Sequence, residues 1–156
     1  MTLLNLTILL CLVFVTTAKE ASRLITLKIE ATNQNLDTAI KFIAKQLQKL
    51  DCTPEKCLEI TVCVEELFIN IAQYAYKDNI GYVEIQFENT DDVVSIRLID
   101  DGLEFNPLKN ADPDVTIPIS KQKVGGLGIY MVKRSMDSID YKRVDNKNIL
   151  TICKKY

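Results

Sequence analysis

The chain has 156 residues, 47% of them apolar and 26% charged, with a formal charge of −2. These totals suit one domain with its own core and exclude disordered and fibrous classes; the slight acidity, with no Lys/Arg stripe, argues against nucleic acid as a partner. There is no histidine, which removes Ser-His-Asp and Cys-His catalysis, His-ligated metals and phosphohistidine chemistry within the chain and leaves acid–base work to carboxylates, lysines or tyrosines.

Residues 1–18 stand apart. The run Leu3–Val15 is apolar except for Asn5 and Thr7. It is shorter than the roughly 20 residues of a membrane-spanning helix and lacks the Lys/Arg start of a secretory signal. Three readings apply to it: a signal peptide ending near Thr16-Thr17-Ala18, a short membrane-associating helix, or an extension outside the working protein. The last two are favoured, with residues 1–20 as the extension, the globular domain over 21–156, membrane contact through residues 1–18 if anywhere, and a cytoplasmic location.

Leu24–Glu30 alternates, with Ile25, Leu27 and Ile29 on one face, and predicts a half-buried strand. Asn33–Leu50 changes to a helical period, placing Leu36, Ala39, Ile40, Ile43, Leu47 and Leu50 opposite Asp37, Lys41, Lys45 and Gln48. Thr53-Pro54-Glu55 is a helix start. A hydroxyl caps, a proline without N–H fits the first turn, and an acid sits at the positive dipole end. The helix it opens runs to about Lys77, with Ile60, Val64, Leu67 and Ile71 as its apolar stripe. Glu66 and Asn70 stack one turn apart on that helix. Either they are a solvated stripe, or they pair a base with a neutral oxygen ligand for a hard cation.

Asp78-Asn79-Ile80-Gly81 turns the chain into a hairpin. Val83, Ile85 and Phe87 point inward on one strand and Val94, Ile96 and Leu98 on the next, across the turn Asn89–Asp92. The second strand ends on Asp100-Asp101-Gly102. Pro107–Val124 holds three prolines and little periodicity, as a functional lid or an unstructured loop does. Gly125-Gly126-Leu127-Gly128 opens a third helix, with Ile129, Val132 and Met136 on one face. Ser138–Val144 and Asn148–Lys154 then pair across Asp145-Asn146-Lys147. The order β-α-α-β-β-lid-α-β-β predicts an α+β fold. It is a two-layer α/β sandwich, a mostly antiparallel sheet with three main helices on one face. Cys52, Cys57, Cys63 and Cys153 lack C-x-x-C spacing and read as small buried hydrophobes.

Two short segments bear on chemistry. At Gly125–Gly128 a loop becomes a helix, where unpaired N–H groups and the positive dipole end welcome an anion. The segment is neither a P-loop nor a Rossmann fingerprint, and alone it is no more than a tight turn. Asp100-Asp101-Gly102 reads as a turn, or as a carboxylate at the sheet's mouth that accepts from a ligand's amino group.

In this order, V-E-E-L-F-I-N-I (64–71), I-D-D-G-L-E-F-N-P (99–107) and G-G-L-G-I-Y-M-V-K-R (125–134) resemble the GHKL (Bergerat-fold) ATP-binding family. Within it they look most like the anti-sigma-factor serine kinases and related serine-protein kinase regulators. The likeness runs from Leu24 to the C-terminus. It implies the Bergerat fold with ATP and Mg²⁺ bound. By position, Asn70 looks like the Mg²⁺ ligand, Glu66 the catalytic base and Asp100 the acceptor of the adenine amino group. Gly102 would let the ring close, and Gly126, Leu127 and Gly128 would meet the phosphates. Thr151 would place a hydroxyl near the adenine. Lys121 and Lys123 would meet the γ-phosphate, although lysines on a loop are as easily just solvated. Two positions depart from the family pattern: Tyr74 stands where histidine is usual, and Glu104 where glycine is common.

The implied activity is transfer of the γ-phosphate of Mg-ATP to a serine of a small anti-anti-sigma-like partner, with a sigma factor and a second copy of the chain as further partners. An ATP-gated module that sequesters a sigma factor or other regulator without turnover is the alternative. The ATP-binding half of a sensor kinase is a third reading, and it has no histidine to phosphorylate.

Overall fold

The computed structural model describes residues 23–77, 79–109, 111–113 and 126–156. Most of the expected lid, with Lys121, Lys123 and Gly125, lies outside the described residues, as do residues 1–22. The described elements are β1 (Ile25–Glu30), α1 (Leu36–Leu47), α2 (Pro54–Asn70), β2 (Tyr82–Thr90), β3 (Val93–Asp100), α3 (Leu127–Ser135), β4 (Ser138–Val144) and β5 (Lys147–Lys155). The strands form one sheet in the order β1-β2-β3-β5-β4, every neighbouring pair antiparallel. The expected two-layer α+β architecture is borne out.

The start of α2 and the β4–β5 turn follow from local chemistry. Thr53 accepts a hydrogen bond from the Lys56 N–H at 3.4 Å, with Pro54 at the first helical position and Glu55 in the first turn of α2. Asp145 and Asn146 close the β4–β5 hairpin with φ of 49° and 60°, the left-handed pair that a two-residue hairpin turn demands. The core lies between the helices and one face of the sheet: Ile43, Phe68 and Val132 from α1, α2 and α3 meet Ile85, Leu98 and Ile152, all buried. Along β3 and β5 burial alternates residue by residue, so one face of each strand packs on the helices and the other is wetter.

Two expectations need correction. The predicted helix to Lys77 keeps α geometry only to Asn70, and then widens into one π-turn over Ile71–Ala75. Of the four described cysteines, all free thiols, only Cys63 is buried; Cys52, Cys57 and Cys153 are half-buried. Among the described residues no helix is long and apolar enough to cross a membrane.

Candidate functional site

At one end of the sandwich, α2, its π-turn, the end of β3, the start of β5 and the first turns of α3 surround a cavity of about 190 Å³. Its walls are largely apolar, with Leu67, Ile71, Ile129 and Leu150 among them, and its polar groups include Asn70, Asp100 and Asn148. An apolar pocket with a few convergent polar groups is the usual form of a small-molecule site. Tyr74 and Glu104, the two departures from the family pattern, both line it, and Tyr74 is 62% exposed.

Asp100 is the last residue of β3, in phase with core residues Leu98 and Ile96, and it is buried at 6% exposure. Its Oδ1 accepts from the Asn148 Nδ2 at 2.8 Å and from the Gly102 N–H at 3.0 Å. Both bonds fall on Oδ1 and neither on Oδ2. Burial pushes the carboxyl above the ordinary aspartate range, against the lowering effect of those two bonds.

The turn after Asp100 is fastened to the π-turn. Leu103 donates its N–H to the Ala75 carbonyl at 2.9 Å. The Tyr76 hydroxyl lies 2.8 Å from Asp101 Oδ1 and accepts from the Asp101 N–H at 3.2 Å. The widened turn thus fixes the strand end that carries Asp100 relative to the helix that carries Asn70. Gly102 itself lies against Ala75, where a Cβ would come 2.5 Å from the Ala75 carbonyl oxygen. It lines an adjacent depression with Lys77 and Arg143 and is not part of the main cavity wall.

Gly126 is the N-cap of α3, and its φ of 95° is a left-handed conformation that side-chain-bearing residues rarely adopt. Leu127 is 47% exposed. Gly128 faces α2 so closely that any Cβ there would run into the Glu66 carboxylate. Glu66 therefore sits at the start of α3, just outside the cavity that Asn70, one turn further along α2, helps to line.

Thr151 is not brought to the cavity. It alternates with buried Leu150 and Ile152 and pairs with Arg97 on β3, so it belongs to the sheet face away from the helices and the cavity. Asn148, three residues earlier and on the cavity side, was missed. The signal available for it was a polar residue in phase with Leu150 and Ile152 on an alternating strand.

A cation at this site would depend on few protein ligands. Among the described residues no three His, Cys, Asp or Glu side chains converge as a metal cage. The neutral oxygen of Asn70 supplemented by phosphate and water oxygens suits Mg²⁺, which keeps much of its hydration and seldom uses an all-protein cage.

The histidine kinase-like ATPase domain family matches residues 29–154. The chain belongs to this family. The expected GHKL-type identity is therefore borne out. Among curated relatives of this ATPase domain, the serine-protein kinase RsbW of Bacillus mycoides (strain KBAB4) is 28% identical over 96 residues, 59% of this chain and 60% of that protein. The RsbW of Bacillus thuringiensis subsp. konkukian is 29% identical over 96 residues, with the same coverage of both chains. The chain thus spans about 60% of the length of these RsbW relatives. The anti-sigma F factor of Caldanaerobacter subterraneus subsp. tengcongensis is 25% identical over 137 residues, 88% of this chain and 96% of that one. In three dimensions the chain is similar to a crystal structure of the RsbU and RsbW domains of Rv1364c from Mycobacterium tuberculosis. That match has a TM-score of 0.62 and 12% identity, and covers 85% of this chain and 32% of the other. At that identity the likeness speaks to the fold.

Proposed function

We propose that this ATPase-domain chain is a serine-protein kinase of the anti-sigma type, which binds Mg-ATP in the cavity and passes the γ-phosphate to a serine of a small regulatory protein. The observation that carries the reading is the meeting of Asn70, buried Asp100 and Ile129 of α3 around one cavity, with the Glu66 carboxylate against Gly128. An adenine amino group is a donor matched to Asp100 Oδ2, and the apolar walls suit the faces of the ring. The phosphates run toward the start of α3, where unpaired N–H groups favour an anion. Asn70 would offer its oxygen to Mg²⁺, which would neutralise phosphate charge. Glu66 takes the proton of the serine hydroxyl as its oxygen bonds to the γ-phosphorus, the β–γ bridging bond breaks, and ADP is left.

One observation favours a second reading, an ATP-gated binding module without turnover. Glu66 does not line the cavity, so a partner serine has to reach it from outside, at Gly128. In either case the partner is a regulator of anti-anti-sigma or sigma type, met in the cytoplasm.

Incubation of the full chain with labelled Mg-ATP and such a partner separates the two. Phosphoserine on the partner is the expected outcome, and ATP-dependent association with no phosphate moved supports the module. Glu66→Gln is expected to keep ATP affinity while transfer falls about 100-fold or more. Asn70→Ala is expected to weaken Mg-ATP binding about tenfold or more, with less effect on nucleotide measured without Mg²⁺. Transfer retained by the glutamine variant contradicts the base assignment.

A further inference from the structure

A row of polar side chains crosses three strands beside the cavity. Asp100 on β3 is paired in register with Asn148 on β5, and Asn148 with Arg143 on β4. The amide of Asn148 has all four of its hydrogen-bonding positions filled. Its Oδ1 accepts from the Tyr141 hydroxyl and from Arg143 Nη1, each at 2.7 Å. Its Nδ2 donates to Asp100 Oδ1 at 2.8 Å and to the Leu103 carbonyl at 2.9 Å. Arginine is a donor only, and a backbone carbonyl an acceptor only. A flipped amide would set its NH₂ against the guanidinium and its oxygen against a carboxylate, so its sense is fixed. Arg143 is itself held by the Gly102 carbonyl at 3.3 Å, with Glu104 3.8 Å away.

We propose that Arg143 and Tyr141 act as positioning residues which, through the Asn148 amide, hold Asp100 as a bare acceptor and make the cavity select 6-aminopurines over 6-oxopurines. The proposal rests on the nucleotide reading above and deepens it. A C6 amino group donates to Asp100 Oδ2, whereas a C6 oxo group sets two acceptors face to face. A site built around a hydrogen bond rejects the analogue that cannot make it, because its buried polar group is then left unpaired. The donor on Oδ1 matters because a buried carboxylate stripped of donors takes up a proton more readily. A protonated Oδ2 then donates to an oxo group, and the selection is lost. Desolvation and the neighbouring Asp101 already push Asp100 in that direction, with Asn148, the Gly102 N–H and Arg143 opposing them.

Equilibrium affinities of the full chain for ATP and for ITP, its 6-oxo analogue, test this. Wild type is expected to prefer ATP by about tenfold or more. Asn148→Asp keeps the oxygen that Tyr141 and Arg143 bind but turns the donor facing Asp100 into a second carboxylate oxygen. Two carboxylates at that distance share a proton, and the preference is expected to fall to about twofold or less. Arg143→Met is expected to reduce the preference about threefold, and Arg143→Lys, which keeps a donor, to restore part of it. A packing defect lowers both affinities alike and leaves their ratio unchanged. An unchanged ratio in Arg143→Met shown by circular dichroism to be folded overturns the proposal, whatever becomes of Asn148→Asp. Wild type that binds both nucleotides equally also overturns it, while sparing the nucleotide reading. Wild type that binds neither removes the nucleotide reading and the proposal together.

Discussion

Asp100 is buried with both of its described N–H donors on a single oxygen, and its ionised form is held against desolvation. Its folded-state pKa is raised, first by burial. Between the ordinary aspartate value and the raised one, the folded protein therefore binds more protons than the unfolded chain. Stability falls as pH rises through that window and stays lower above it. Asp100→Asn removes this titration. The variant is expected to be at least as stable as wild type at pH 7, with a flatter acid limb in denaturant titrations, while its ATP affinity falls about tenfold or more. A variant clearly less stable than wild type at neutral pH, by chemical denaturation, contradicts this account of the site. At the same scale, Asp100 was legible because an acidic pair before glycine ends a clearly alternating strand. On the last strand the resemblance points to Thr151, whereas the residue at the cavity is Asn148. Sheet residues change sides at every step, so choosing Thr151 instead of Asn148 moved the polar group to the far side of the sheet.

The elements owe their positions to contacts between them that no single segment announces. The predicted helix start at Thr53 was legible because capping is local chemistry. The π-turn after Asn70 was not, because its sequence, Ile71-Ala72-Gln73-Tyr74-Ala75, has nothing that opposes α geometry. Its widened form goes with tertiary bonds from Ala75 and Tyr76 to the turn after β3. π-turns of this kind are common where helices carry functional groups. The other end of α3 is also set from outside the helix. Lys154 of β5, 15% exposed, donates to the Ser135 carbonyl at 2.6 Å and pairs with Glu59 of α2 at 3.0 Å. One ammonium thus satisfies a terminal carbonyl of α3 and ties both helices to the sheet. Lys154→Met keeps most of the stem's packing and is expected to lower stability by about 1–2 kcal/mol. A loss below about 0.5 kcal/mol in urea titrations shows the contact to be solvated rather than structural.

For the molecule as a whole, the architecture was legible because its periods are clean. Alternation on five segments and helical spacing on three leave few arrangements for a chain of 156 residues. The cavity was less legible, because it is built at a meeting of ends: the close of β3, the π-turn, the start of β5 and the start of α3. Each contributes one to three residues that, read singly, are ordinary turns or stripes. Only their order along the chain pointed to one site. The fold brings Asn70 and Asp100 to its wall, and Gly128 to Glu66 beside it. All that is proposed of function depends on a nucleotide occupying this space. The most direct test is isothermal titration of the full chain with ATP and ADP, with and without Mg²⁺, alongside Asp100→Asn. The expected result is saturable binding of one nucleotide per chain, strengthened by Mg²⁺ for ATP and weakened about tenfold or more in the variant. Folded wild type that takes up no nucleotide at millimolar concentration, or a variant that binds as tightly as wild type, contradicts it.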